Sequence, residues 1–294
     1  MSFLRLHGAG RDARVPGNGN HGRDAFYGMV LHAPQMPPFR PLAWVCVPCA
    51  PRRRGPGLRP LFTWKGHPMK RSEINAILRD AIAFCEERRF ALPPFAFWTP
   101  GEWKRRAAEA HEVVACQMGW DITDFGKGDF PRFGLVLFTL RNGHGTALHP
   151  KPYAEKILIA EEGQQIPMHF HWSKMEDIIV RGGGNLVVTL FNADPDENLS
   201  EDEPVNVMCD GVKRTVPAGG QVVLRPGESI TLPPQIFHDF EAEPGTGRIL
   251  LGEVSTVNDD VHDNRFHQKV GRFPTIEEDE PPLHLLTVDY AGIW

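Results

Sequence analysis

From about residue 130 the chain breaks into short runs rich in Val, Ile, Leu and Phe, separated by Gly, Pro, Asn and Asp. The runs are GLVLFTL (134–140), EKILIA (155–160), EDIIV (176–180), NLVVTLF (185–191), QVVL (221–224), SITL (229–232) and RILLGEV (248–254). Branched and aromatic side chains pack well on a pleated surface, and the turn-formers between them reverse the chain. Such a series predicts a mainly β fold, a barrel or jelly-roll-like sandwich. Two helical segments precede it. Ile74, Ile77, Leu78, Ala81, Ile82 and Cys85 recur at helical spacing after Ser72, and Pro93-Pro94 ends that run. Thr99-Pro100-Gly101-Glu102 reads as a capping box with proline at the first helical position. These N-terminal helices are expected to pack outside the barrel.

Charge divides the chain unevenly. Residues 1–68 hold ten Lys/Arg against two Asp, whereas 69–294 hold 22 Lys/Arg against 35 Asp/Glu, for a net charge of -5. The first part has no helical or alternating period. A stretch such as PRRRGPGLRP cannot bury enough apolar surface to offset its ordering entropy. Residues 1–68 are therefore expected to be a disordered or mis-started leader. Met69 opens the patterned unit of 69–294: helical over 70–118, barrel over about 130–270, and a C-terminal segment to 294. Cys46 and Cys49 lack the second pair that a zinc ribbon needs. The negative balance argues against a general grip on nucleic acid. No apolar run approaches the roughly 18 residues of a membrane helix. Five scattered cysteines do not form a disulfide framework, so a cytoplasmic setting is expected.

The stretch GQQIPMHFHWSKMEDIIVRGGG, from Gly163 to Gly184, concentrates the chemistry. In a strand, residues two apart face the same way, so His169 and His171 share one side and Phe170 takes the other. Residues 172–175 allow a turn, Glu176 begins the next strand and can swing back, and Gly182–Gly184 closes it. Downstream, Pro226-Gly227 and the Pro233-Pro234 turn lead to His238 in a similar setting. An isolated histidine is ordinarily a core or surface residue, and His144 and His149 are expected to be solvated in a loop. The pattern His-X-His-X4-Glu with a later histidine is what a metal site requires. Imidazole suits several transition metals, and the carboxylate shifts the balance toward harder ions such as Mn²⁺ or Fe²⁺.

This pattern resembles the first motif of the cupin superfamily, and Pro226–His238 resembles the second in a looser form. The resemblance implies a small β-barrel with the metal inside, held by His169, His171, Glu176 and His238. A narrower resemblance, to bacterial D-lyxose isomerases, is carried by MKRSEIN (69–75), GWDITDFG (119–126), FTLRNG (138–143), YAEKI (153–157), PMHFHWSKMEDIIVRGGGNL (167–186) and GEVSTVNDDVHDNRF (252–266). It implies interconversion of D-lyxose with D-xylulose and of D-mannose with D-fructose. It further implies Mn²⁺ or another divalent ion such as Co²⁺, a sugar as the partner molecule, and a homodimer.

An aldose–ketose conversion moves a proton between C2 and C1 through an enediol, whose two oxygens a divalent ion can chelate. Lys174, inside the ligand motif, and Glu253, at the end of RILLGEV, are the expected catalytic pair. Asp263, Arg265 and Arg272 are the candidates for binding sugar hydroxyls, with a structural ion-pair network as the alternative for the three. In some members of the family a carboxylate directly precedes the residue matching Arg272. Gly271 stands there in this chain, which puts more of the base's work on Glu253. An Fe²⁺ dioxygenase or a non-catalytic sugar-binding cupin would use the same four ligands.

Overall fold

The computed structural model describes residues 68–293. Residues 1–67, with Cys46 and Cys49, lie outside the described residues. The main strands, in chain order, are β1 (Gly119–Thr123), β2 (Leu135–Arg141), β3 (Tyr153–Ala160), β4 (Gln165–Phe170), β5 (Glu176–Gly183), β6 (Leu186–Ala193) and β7 (Val205–Cys209). They continue with β8 (Val212–Val216), β9 (Gly220–Leu224), β10 (Ser229–Leu232), β11 (Ile236–Ala242), β12 (Ile249–Thr256) and β13 (Arg265–Phe266). Eight form one antiparallel sheet in the order β8-β7-β10-β5-β12-β3-β2-β1, and the second sheet runs β9-β6-β11-β4-β13. Every apolar run singled out in the sequence falls on one of these strands, three of them starting one residue ahead of it.

The large sheet is buried on both faces at its β1–β2–β3–β12 end, and strand alternation sorts its side chains. Leu135, Leu158, Ala160, Ile249 and Leu251 face inward, meeting Val188, Leu190 and Phe240 of the second sheet. Val136, Phe138, Ile157, Ile159 and Leu250 face outward, under helix α1 (Arg71–Glu87). That helix contributes Ile74, Leu78, Ala81 and Phe84 to the outer layer. Burying each of the large ones stabilises the fold by about 1.5–3 kcal/mol. Arg71 is buried as well, because its guanidinium grips both Glu278 and Asp289 of the C-terminal segment. Helix α2 (Pro100–Arg106) starts as its capping box predicts, with Thr99 Oγ1 accepting from the Glu102 backbone N–H. Among the described residues no helix is long and apolar enough to cross a membrane, and Cys85, Cys116 and Cys209 are free and buried.

Two parts of the sheet depart from expectation. The barrel begins at Gly119, earlier than about 130. In β1 the outward Trp120 and Ile122 pack under the helix while Asp121 and Thr123 face inward, so the strand carries a polar inner edge that reads as a loop. The hairpin β7–β8 was also not expected from apolar content. Its turn is Asp210-Gly211, both at positive φ (50° and 77°), the pairing that matches strand twist in a two-residue hairpin.

The glycines expected to close β5 do so at a tight contact. Gly183 has φ +91°, and an added methyl there would overlap the Arg248 carbonyl oxygen on β12's leading edge. Gly183→Ala should therefore destabilise the fold by about 3 kcal/mol or more, read as a lowered urea midpoint. A midpoint within error of wild type would show that this turn relaxes freely.

Candidate active site

Two strand segments bring the histidines together, and a third adds Glu176. His169 is the penultimate residue of β4, with His171 just beyond the strand, and both face the interior, while Phe170 points away and packs on Phe237 at 4.7 Å between ring centroids. His238 lies on β11 directly opposite His169 in the antiparallel register, and a bulge follows it. The turn before β11 is pinned by the Gln235 N–H donating to the His171 carbonyl at 2.9 Å. Residues 172–175 turn the chain, and Glu176 starts β5 as expected. Ligand-capable nitrogens of His169, His171 and His238 all lie within 4.8 Å of one another.

Each imidazole is oriented by its Nδ1–H. His169 donates to the Pro167 carbonyl at 2.8 Å, His171 to the Asp263 carbonyl at 2.7 Å, and His238 to the Ile236 carbonyl at 2.9 Å. With Nδ1 protonated, a neutral ring presents a bare lone pair at Nε2. Nε2 of His171 and of His238, together with Oε1 of Glu176, are buried atoms with no hydrogen-bond partner. Glu176 Oε1 lies 3.2 Å from His238 Nε2 and 3.5 Å from His171 Nε2. Acceptor facing acceptor at that range is repulsive without a cation between them, so this donor set fits a divalent metal. Burial, with the neighbouring His238 and His171 rings, holds His169 well below the usual imidazole range, in the neutral form a ligand needs. For Glu176 burial works against ionisation, but the Lys174 ammonium overrides it and holds the carboxyl well below its usual range.

A chain of alternating charge leads away from this centre. Glu176 meets Lys174 at 2.7 Å, Lys174 meets Glu253 at 3.0 Å, and Glu253 meets Lys156 at 3.4 Å. Lys156 reaches Asp260 at 3.4 Å, and Asp260 reaches Arg272 at 3.2 Å. Burial opposes the charge on Lys174, yet Glu176 and Glu253 more than offset it and hold the ammonium above the usual lysine range. All six side chains line a cavity of about 400 Å³ together with His169, His171, Phe125, Leu158, Phe240 and Phe266. Lys174 and Glu253 are thus brought beside the histidines, as the motif position of one and the strand position of the other suggested.

The three candidate sugar-binding residues separate. Arg272 lines the cavity. Asp263 does not, because its carboxylate is consumed by the backbone N–H groups of Ser173 and Lys174 and by the Ser173 hydroxyl, each at 2.9 Å. Its carbonyl also receives the His171 ring, so Asp263 braces the ligand turn from behind. Arg265 turns outward toward Glu197 at 3.4 Å and lies outside the cavity lining. Gly271 lies in the wall, backbone to backbone with Gly126, where a Cβ would come within 2.9 Å of the Gly126 Cα. His149 is buried and stacked on His111 at 5.5 Å, not solvated as its loop position suggested.

Lys156, Asp260 and Asp121 were missed. Lys156 had a readable signal, since it shares parity with Leu158 and Ala160 on the inner face of β3. Asp121 is likewise inward, between Trp120 and Ile122. Burial pushes its carboxyl up to about 7, with Thr287, Arg272 and Lys156 pulling down and Asp260 pushing up. Between about pH 4 and 7 the folded chain keeps a proton that the unfolded chain has released. This contribution to stability is present at low pH and lost as pH rises through about 7. Raising the pH from about 5 to 8 should therefore lower the urea midpoint of wild type more than that of Asp121→Asn. Equal pH dependence in the two proteins would contradict it.

The D-lyxose isomerase family model matches residues 69–290. A D-lyxose/D-mannose isomerase of Serratia proteamaculans is 51% identical over 224 residues, covering 76% of this chain and 98% of the relative. One of Escherichia coli O157:H7 is 49% identical over 224 residues, with the same 76% and 98% coverage. Among solved structures, a variant L-ribose isomerase of Acinetobacter sp. DL28 in complex with L-ribose has a TM-score of 0.50 at 16% identity, covering 73% of this chain and all of that one. At that identity the likeness speaks to the fold, a cupin-like β-barrel. The chain belongs to the D-lyxose isomerase family and is an aldose–ketose isomerase.

Proposed function

We propose that residues 69–294 interconvert D-lyxose with D-xylulose, and D-mannose with D-fructose, through an enediol. Mn²⁺ is the assigned ion, held by His169, His171, Glu176 and His238. The observation that carries this reading is the convergence of orphaned acceptors from three strand segments at the head of a charge chain. When bound, a divalent ion stabilises negative charge developing on the sugar's C1 and C2 oxygens.

The chain's own residues handle the proton and the pose. Glu253 is the general base. Its Oε1 is held by Lys174 and Lys156, and its Oε2, which has no hydrogen-bond partner among the described residues, is the oxygen offered to the C2 proton. The same carboxyl returns that proton to C1. Lys174 keeps a positive charge beside the reacting carbons and fixes the Glu253 rotamer. Asp263 positions Lys174 by accepting its backbone N–H. Arg272 binds sugar hydroxyls toward the mouth, its loop seated by the Thr123 hydroxyl donating to the Arg272 carbonyl. Leu135, Leu137, Leu158 and Phe240 exclude water around the intermediate.

The test is anaerobic incubation of the Mn²⁺-loaded protein with a panel of aldoses in D₂O. D-Lyxose and D-mannose should yield ketose, with solvent deuterium at the transferred carbon. Glu253→Gln should lower turnover by about 10²–10⁴-fold with metal content unchanged. Ketose without deuterium after long equilibration, together with an unimpaired Glu253→Gln enzyme, would replace the enediol by a hydride shift. No ketose from any aldose would overturn the reading.

A further inference from the structure

Seven Asp, Glu, Lys and Arg side chains line the cavity, and six of them belong to the alternating chain. The seventh, Asp121, has no ion-pair partner among the described residues. It is 4% exposed, and its Oδ1 accepts from the Thr287 hydroxyl at 2.6 Å. A buried carboxyl with one neutral partner costs free energy that an apolar residue would avoid. A perturbed, unpaired acid in the wall of a working cavity marks a functional position.

Its place in the sheet indicates which function. Asp121 pairs with Leu137, which pairs with Leu158, which pairs with Leu251; Glu253 stands one inward position further along β12. Three strand steps separate β1 from β12, roughly 14 Å along the sheet, shortened by curvature and by two side chains reaching inward. The span left suits an extended polyol, with one end at Glu253 and the histidines and the other at Asp121. The wall between them carries Leu137 and Leu158, which offer hydroxyls nothing, and Lys156, which is already held by Glu253 and Asp260. Thr287, in the C-terminal segment Thr287–Gly292, fixes one carboxyl oxygen and leaves the other for a ligand.

We propose that Asp121 is a substrate-recognition residue whose carboxyl accepts hydrogen bonds from hydroxyls at the sugar's far end, at C4 and beyond, with Thr287 as its positioning residue. The assignment rests on the isomerase reading for the orientation of the sugar. Asp121 takes no part in the proton transfer, since it stands three strand steps across the sheet from Glu253.

The experiment compares full-length Mn²⁺-loaded wild type with Asp121→Ala, Asp121→Asn and Thr287→Val, on D-mannose and its 4-deoxy and 6-deoxy analogues. Asp121→Ala should raise KM for D-mannose by on the order of tenfold or more, with kcat changed by less than about threefold. Wild type should lose a similar factor on at least one deoxy analogue, and Asp121→Ala should no longer discriminate that analogue from D-mannose. The wild-type KM should change with pH around neutrality and become flat in Asp121→Asn. The other groups facing Asp121, namely Arg272, Lys156, Asp260 and the Tyr290 hydroxyl, are all retained in that variant. Thr287→Val should shift the midpoint of the KM–pH profile without matching the full loss of Asp121→Ala. An unchanged KM, or deoxy discrimination equal to wild type, would overturn the proposal; if the Ala variant does not fold, Asp121→Asn decides the same question through its pH profile. Calorimetric binding of the same sugars needs no turnover. Weaker binding by Asp121→Ala without ketose formation in wild type would sink the isomerase reading and keep Asp121's role, and equal binding would sink the role alone.

Discussion

Charge buried inside an apolar barrel is the constraint to which the rest of the molecule answers. An ion removed from water is tolerated only when other charges or hydrogen bonds replace its hydration. The interior answers with pairing along a line: carboxylate, ammonium, carboxylate, ammonium, carboxylate, guanidinium, from Glu176 to Arg272. The line ends at a set of lone pairs that no group among the described residues satisfies, and a divalent cation bound there would complete the compensation. Strand alternation makes this possible, because the same strands that present Ile157 and Leu250 to the helix outside present Lys156 and Glu253 to the interior.

Much of this was legible in the sequence. Apolar strands announce themselves by composition, which is why all seven runs became strands. The ligand motif is local: His169, His171, Lys174 and Glu176 fall within eight residues, so one strand and one turn fix their mutual placement. His238 and Glu253 could be added because each sits at a definite place on a following strand. Asp263 and Arg265 could not be sorted between sugar binding and a structural role for the converse reason. Their segment from 257 to 273 has little regular structure, and no periodicity indicates which side chains turn inward. Lys156 and Asp121 were overlooked although period-two parity assigns both to the inner face, since a charge within an apolar strand is easily taken for its solvent side.

The outer layer matters to the site indirectly. Arg71 ties helix α1 to Glu278 and Asp289, and Thr287 stands two residues from Asp289. The C-terminal segment that seals the outer core therefore also carries the hydroxyl that holds a cavity carboxyl. Tyr290 in the same segment donates to the Met118 carbonyl at 2.6 Å beside β1. Packing outside the barrel and polarity inside it are thus coupled through β1.

Three imidazoles and Glu176 are proposed to hold one divalent ion. Metal content after reconstitution tests it most directly. Wild type stripped with chelator and returned to Mn²⁺ should bind one equivalent per chain and recover activity lost on stripping. His171→Ala and His238→Ala should each bind far less while keeping a wild-type circular dichroism spectrum. Full activity in a stripped, metal-free protein, or stoichiometric Mn²⁺ in either histidine variant, would contradict the assignment.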